Sequence, residues 1–227
     1  DASERNLGTH DGRGAGIINV GILSVTNSTI SGNVARTGGG IYNGGTLSMT
    51  SSTISDNTAV VGGGGIYNSG SRTLTVTSST ISGNTTTNIG SGRGGGIENL
   101  GNLTVNNSTI SGNNVTNGDN NGGGILSDLG NATITNSTIT SNSAAGAGSA
   151  SGIFRQGATV NLCLSTLLGN SLFRGLNHPS TYEICHRLCT ELPLLYPSSP
   201  SGICRLLLRK TCIVPFYLFL VAMPYIS

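Results

Sequence analysis

The chain has no tryptophan and one lysine, Lys210, and its 227 residues are 9% charged and 4% aromatic. Two classes of protein drop out on that basis. A core packed from large side chains has too few of them here, and a nucleic-acid reader needs a basic stripe that a formal net charge of +2 does not supply. Nucleic acid is therefore not an expected partner. The charge is also unevenly placed. Residues 1–157 hold six arginines against seven acids, a net of −1, and residues 158–227 hold five basic residues against two acids, a net of +3. Cysteine is missing before Cys163 and proline before Pro179, so neither a disulfide framework nor proline-set turns shape the earlier part of the chain. The start, Asp1-Ala2-Ser3, has no apolar stretch of the signal-peptide kind behind it, which reads as a processed chain or a fragment.

What the chain has instead is glycine, 36 residues of it, and a repeat. The pattern is set by Gly38-Gly39-Gly40-Ile41-Tyr42-Asn43, then Gly45-Thr46-Leu47-Ser48-Met49-Thr50, then Ser52-Thr53-Ile54-Ser55-Asp56-Asn57. Copies run over 14–33, 63–84, 94–113, 122–142 and, degraded, 151–170. One isoleucine follows each glycine run, at Ile17, Ile41, Ile66, Ile97, Ile125 and Ile153, in steps of 24, 25, 31, 28 and 28 residues. A second aliphatic ladder is Ile30, Ile54, Ile81, Ile110, Ile139 and Leu167, with a companion column Asn33, Asn57, Asn84, Asn113, Asn142 and Asn170. Between them lie pairs spaced by two, such as Leu47 and Met49 or Leu74 and Val76, with polar residues alternating, which is a strand period.

Each copy thus predicts three short strands separated by Gly, Asn or Ser turns, and none can bury its apolar side alone. Stacking equivalent strands in parallel at about 4.8 Å sets each Ile on the Ile of the next coil. The expected fold is all-β: a right-handed parallel β-helix solenoid of about six coils over residues 14–171. An α-solenoid lacks its helix formers, and these periods do not supply a propeller blade. The asparagine column reads as a structural ladder, inward at a tight bend, passing amide hydrogen bonds from coil to coil. Residues 1–13 read as the remnant of a preceding coil or an N-terminal cap, and open solenoid ends predict a tendency to self-associate.

Residues 172–227 are different material. The cysteines Cys163, Cys185, Cys189, Cys204 and Cys212 crowd the last 65 residues and glycine thins out. Cys185-His186-Arg187-Leu188-Cys189 lacks a second pair at comparable spacing, so no metal site is expected. The apolar run Ile213–Met223 contains Pro215, is followed by Pro224, and is too short to span a bilayer, so membrane anchoring by the tail is not expected. A capping segment and a frame-shifted reading of a longer repeat gene are the other accounts of this tail.

The consensus Gly-Gly-Gly-Ile-Tyr-Asn followed by Gly-x-Leu-Thr-Val-Thr-Asn-Ser-Thr-Ile-Ser-Gly-Asn, standing here as Gly94 to Asn99 with Leu103 to Asn113, resembles the right-handed β-helix repeats of bacterial surface proteins, including polymorphic outer-membrane-protein and adhesin-like families. The resemblance covers residues 14–171. It implies export, a secreted or outer-membrane, cell-surface location, and adhesion to a host or matrix glycan or protein. A non-enzymatic scaffold is the expected function, with Tyr42 and Tyr67 at one equivalent position and Thr75, Thr77, Thr133 and Thr135 on outward strand positions as candidate surface-binding residues. No cofactor is expected.

Two alternatives stay open. Polysaccharide lyases and hydrolases use a similar coil, and their chemistry needs clustered carboxylates. Asp56, Glu98, Asp119 and Asp128 each stand alone in the repeat; Glu98 with Asp128 is the best pair across neighbouring coils, with Arg93 or Arg155 as a nearby cation, against the plainer reading of solubilising loop charge. Ice binding is the other, because outward Thr-x-Thr and Thr-x-Ser pairs recur and a flat parallel sheet would set them in a grid.

Overall fold

The computed structural model describes residues 12–87, 93–119, 121–170 and the short strand Ile184–Cys185; expectations for residues 1–11 and for the rest of the tail fall outside these. It is an all-β parallel solenoid, with no helix among the described residues. Its first sheet stacks Ile17–Asn19, Ile41–Asn43, Ile66–Asn68, Ile97–Asn99, Ile125–Ser127 and Ile153–Arg155 in chain order, all parallel. The second stacks Ile22–Thr26, Thr46–Thr50, Thr73–Thr77, Asn102–Asn106, Ala132–Thr135 and Val160–Cys163, with Ile184–Cys185 added beyond them. The third stacks Thr29–Ser31, Thr53–Ser55, Thr80–Ser82, Thr109–Ser111, Thr138–Thr140 and Thr166–Leu168.

A fourth sheet departs from the three strands expected per coil. It stacks Val34–Thr37, Thr58–Gly62, Thr85–Thr86, Asn114–Val115 and Ser143–Ala144. These strands turn small or polar residues inward, such as Ala59, Thr86 and Val115, all fully buried. Without a repeated large aliphatic residue they carry no period visible in the sequence.

The isoleucines align as the repeat demands. Ile17, Ile41, Ile66, Ile97, Ile125 and Ile153 pair in register down the first sheet, and Ile30, Ile54, Ile81, Ile110, Ile139 and Leu167 down the third. With the paired residues of the second sheet they form one continuous core. Coils with neighbours on both sides bury their isoleucines completely, whereas Ile17, Ile30 and Leu167, in the first and last coils, are only partly covered.

Polar ladders hold the corners. Asn84 is representative of the asparagine column: its Nδ2 donates to Asn113 Oδ1 at 2.9 Å and to the Ile54 carbonyl at 3.0 Å. Its Oδ1 accepts from the backbone N and the Nδ2 of Asn57, both at 3.0 Å. All four hydrogen-bonding positions of the amide are filled, and no other side chain of that length carries two donors and two acceptors. A second inward ladder, Asn19 to Asn43 to Asn68 to Asn99, lines the corner between the first and second sheets with Nδ2-to-Oδ1 distances of 2.7–2.8 Å. A third is made of serines: Ser79 Oγ accepts from the Ser52 backbone N at 3.0 Å and donates to the Thr77 carbonyl at 2.7 Å, and Ser108, Ser137 and Ser165 repeat the arrangement.

The residue before each ladder serine is left-handed, with φ of 48–50° at Asn27, Ser51, Ser78, Asn107, Asn136 and Leu164. Asn tolerates that conformation; Leu does so at a cost of roughly 1–2 kcal/mol. Leu164 is 59% exposed and gives up little packing when replaced. Leu164→Asn is expected to raise the unfolding free energy by about 1 kcal/mol, measured by denaturant melts. Asn84→Ala, which takes the acceptor from the buried backbone N–H of Asn57 and removes one donor each from Asn113 Oδ1 and the Ile54 carbonyl, is expected to lower it by about 3 kcal/mol or more, and Asn33→Ala, in the partly exposed first coil, by clearly less.

Candidate functional site

Among the described residues, no group of three or more His, Cys, Asp or Glu side chains stands together as a metal site would require. The chemistry that is present lies on the outer side of the first sheet. There the middle residue of each strand points away from the core, and the parallel register lines up Ile18, Tyr42, Tyr67, Glu98, Leu126 and Phe154. Tyr42 and Tyr67 stack face to face, with ring centroids 5.4 Å apart and planes inclined by 12°. The Arg13 guanidinium lies over the Tyr42 ring, 5.2 Å from its centroid. These ring faces thus contact one another and a cation. Farther along, Leu126, Phe154 and Ala150 form a small buried cluster of their own, so the column passes from half-open at the first coils to closed at the last.

Glu98 sits at the centre of that column, in the middle of a strand and only 2% exposed. The expectation of a solubilising loop charge is corrected here: register with Tyr67 and Leu126 places the carboxyl under the connections between coils. Gly62 makes the room, since a Cβ on it would overlap Glu98 Oε2. The Gly94 N–H donates to Oε2 at 3.4 Å, and Arg93 Nη1 lies 3.7 Å from Oε1. Burial dominates nonetheless and pushes the Glu98 pKa up to about 8, with Asp128 adding to the rise while Arg93 and the Gly94 and Gly63 N–H groups oppose it. The Tyr67 phenol is raised to about 12, first by its own burial and then by Glu98.

The other acids do not join Glu98 in an open cleft. Asp128 lies at the turn beyond the strand, its N–H donating to the Asn99 carbonyl, and burial raises its pKa. Asp119 accepts from the Ala147 N–H at 2.7 Å, and Asp56 occupies a left-handed corner at φ 55°. Arg155 donates to the Ala158 carbonyl at 2.6 Å. The arrangement supplies a neutral, sequestered carboxylic acid rather than a pair flanking a substrate. Its signal in the sequence was the single acid at a position that is Tyr in two other coils.

The remaining candidates lie on the second sheet. Thr75 and Thr133 flank Thr104 in one outward column, and Thr77 and Thr135 flank Asn106 in the next. All four threonines are half-buried, and among the described residues their Oγ1 atoms make no hydrogen bond within the chain. A shallow groove of about 340 Å³ opens at the corner of the first coils, lined by Val20, Ile22, Thr46, Arg72 and Thr73 among others.

Glu98 is protonated in the folded chain up to about pH 8 and ionised above about pH 4.5 once unfolded, so unfolding releases a proton between those values. Stability falls across that window, by about 1.4 kcal/mol per pH unit at most, and levels off above it. Melting temperatures from pH 5 to pH 9 are expected to drop for the parent, and Glu98→Gln is expected to flatten the profile and melt higher than the parent at pH 8. A parent profile flat over pH 5–8 would mean that the carboxyl is already ionised inside. Compared with known proteins, the chain matches no protein-family model, no curated protein and no solved structure, so the account of fold and site rests on its own residues.

Proposed function

We propose that this chain is a non-enzymatic solenoid scaffold, exported to a cell surface or secreted, whose task is surface binding of the adhesive kind. The observation that supports it most directly is how the side chains divide. Inward polar groups are used up by the ladders, and the least exposed acid is closed off at 2% exposure. The outward positions of the second and third sheets carry Ser, Thr and Asn, apart from Ile22 in the first coil and Cys163 and Leu168 in the last, with no charged residue in any of the described coils. Such a face hydrates easily and offers hydrogen bonds without selecting for charge. Export and cell-surface display follow from the resemblance of the repeat to bacterial surface proteins and belong to this proposal. The in-register threonines favour a second reading, ice binding, whose mark is thermal hysteresis.

The test pairs binding with turnover. The purified chain is applied to glycan arrays, to immobilised matrix proteins and to whole cells, and reducing ends are assayed in parallel on any polysaccharide it retains. Binding without release of reducing ends is the expected result; release that is lost in Glu98→Gln would replace the scaffold by a polysaccharide-cleaving enzyme.

A further inference from the structure

Asparagine followed by glycine is the pairing in which a backbone amide nitrogen most readily attacks the side chain before it, because glycine has no Cβ to obstruct the approach. The chain holds three such pairs, Asn43-Gly44, Asn117-Gly118 and Asn121-Gly122. The fold treats them very differently. Asn43 is fully buried in the ladder that begins at Asn19: its Oδ1 accepts from Asn19 Nδ2 at 2.8 Å, and its Nδ2 donates to Asn68 Oδ1 at 2.8 Å and to the Thr73 carbonyl at 3.0 Å. The Gly44 N–H is itself engaged, donating to the Asn19 carbonyl at 2.7 Å. Asn121 is fully buried as well. Its Oδ1 accepts from the Arg93 N–H at 2.9 Å and its Nδ2 donates to the Asn117 carbonyl at 3.1 Å, while the Gly122 N–H donates to the Arg93 carbonyl at 2.8 Å.

Asn117-Gly118 has neither protection. The pair follows the fourth-sheet strand Asn114–Val115, and the Asn117 side chain is exposed. Among the described residues, Asn117 Oδ1 accepts no hydrogen bond and the Gly118 N–H donates none, so the amide carbonyl and the nitrogen that would attack it are both open to solvent. What holds the side chain is its Nδ2, which donates to the Thr87 carbonyl of the preceding coil at 3.1 Å and to Thr116 Oγ1 at 3.0 Å. Both contacts lie at the surface, where water replaces them at little cost. Gly118 is left-handed at φ 85°, and its carbonyl lies against Gly146 of the next coil, where a Cβ would overlap it. The site is thus reactive by its exposure and joined to both neighbouring coils.

We infer that Asn117 is a site of spontaneous deamidation, at which the Gly118 backbone nitrogen closes a cyclic imide and water opens it to aspartate or isoaspartate. In the first step the Gly118 nitrogen gives its proton to hydroxide and bonds to Asn117 Cγ; the Cγ–Nδ2 bond breaks, and Nδ2 takes a proton from water and leaves as ammonia. In the second, water adds to either carbonyl carbon of the imide, the bond from that carbon to the Gly118 nitrogen breaks, and the nitrogen recovers a proton. The sum consumes a water and releases an ammonia. The product holds a carboxylate where Nδ2 faced the Thr87 carbonyl, so the tie to the preceding coil is lost and a new negative charge stands two residues from Asp119. In isoaspartate the backbone is also longer by a methylene just ahead of Gly118.

The experiment incubates the full chain at pH 5 and pH 8, folded and in urea. Peptide fragmentation follows each asparagine for the mass gained when NH2 becomes OH, and enzymatic methylation detects isoaspartate. In the folded chain Asn117 is expected to convert at least about tenfold faster than Asn43 or Asn121, whose reaction must await local opening of the coils, and faster at pH 8 than at pH 5. In urea the three pairs are expected to convert at similar rates, which assigns the difference to the fold. Asn117→Gln, whose longer side chain would have to close a larger ring, is expected to keep its charge while the aged parent gains an acidic form. Conversion at Asn117 no faster than at Asn43 or Asn121 in the folded chain would overturn the inference, and so would the same gap between the sites in urea. Aspartate without isoaspartate would mean direct hydrolysis and remove Gly118 from the reaction. An acidic form appearing equally in aged Asn117→Gln would place the reaction at another residue.

Discussion

An asparagine side chain turned into the interior must satisfy two N–H donors and two acceptor lone pairs, and along these columns the asparagine one coil away takes part in completing the set. That requirement fixes the register of every coil on the next. Hydrophobic stacking of the isoleucines stabilises the solenoid more in total, since each buried aliphatic side chain is worth about 2 kcal/mol or so. Aliphatic contact tolerates sliding, however, and a filled amide does not. Where the column that begins at Asn19 runs out at Asn99, its Nδ2 donates to Ser127 Oγ at 3.2 Å, and the Ser127 hydroxyl donates in turn to the Gly130 carbonyl. The interior polar group remains satisfied although the ladder ends.

The same constraint shows where the coil is free to vary. From Ile41 to Asn57 is 16 residues, from Ile97 to Asn113 again 16, and from Ile66 to Asn84 18. From Asn57 to Ile66 is 9 residues, but from Asn84 to Ile97 it is 13. Length changes collect between the asparagine corner and the next glycine run, where the fourth sheet lies. The first three sheets were therefore legible in the sequence, as large aliphatic residues recurring at nearly constant offsets, and the fourth was not: its inward residue stands two positions after the ladder asparagine in every coil, but it is Ala59, Thr86 and Val115 in successive coils and so gives no aliphatic period. The Asn19 and Ser28 ladders stood in the repeat in plain sight. Nothing local distinguishes a turn residue that faces solvent from one that faces the next coil.

Glu98 was harder to read for a related reason. A lone acid in a column of Tyr, Leu and Phe looks like tolerated surface variation until the connections that cover it are known, and those connections belong to the drifting part of the repeat. The structure makes the acid a cost borne by the coil, relieved by protonation, by Arg93 and by the space at Gly62. The outward hydroxyls show the reverse situation, being fully legible in sequence and position, with only their lack of internal partners visible in the fold.

The amides of the corner columns also share an orientation. From Asn33 through Asn142 each Nδ2 donates one hydrogen to the Oδ1 of the following asparagine, the second hydrogen of Asn57 through Asn142 going to an isoleucine carbonyl of the coil before, and the asparagine-to-asparagine bonds of the column beginning at Asn19 run the same way. The dipoles add instead of cancelling, so the rod has an electrical direction that does not depend on its ionisable groups and persists at any pH. A coil grafted at either extremity can extend these rows only head to tail; inverted, it would bring donor against donor or oxygen against oxygen.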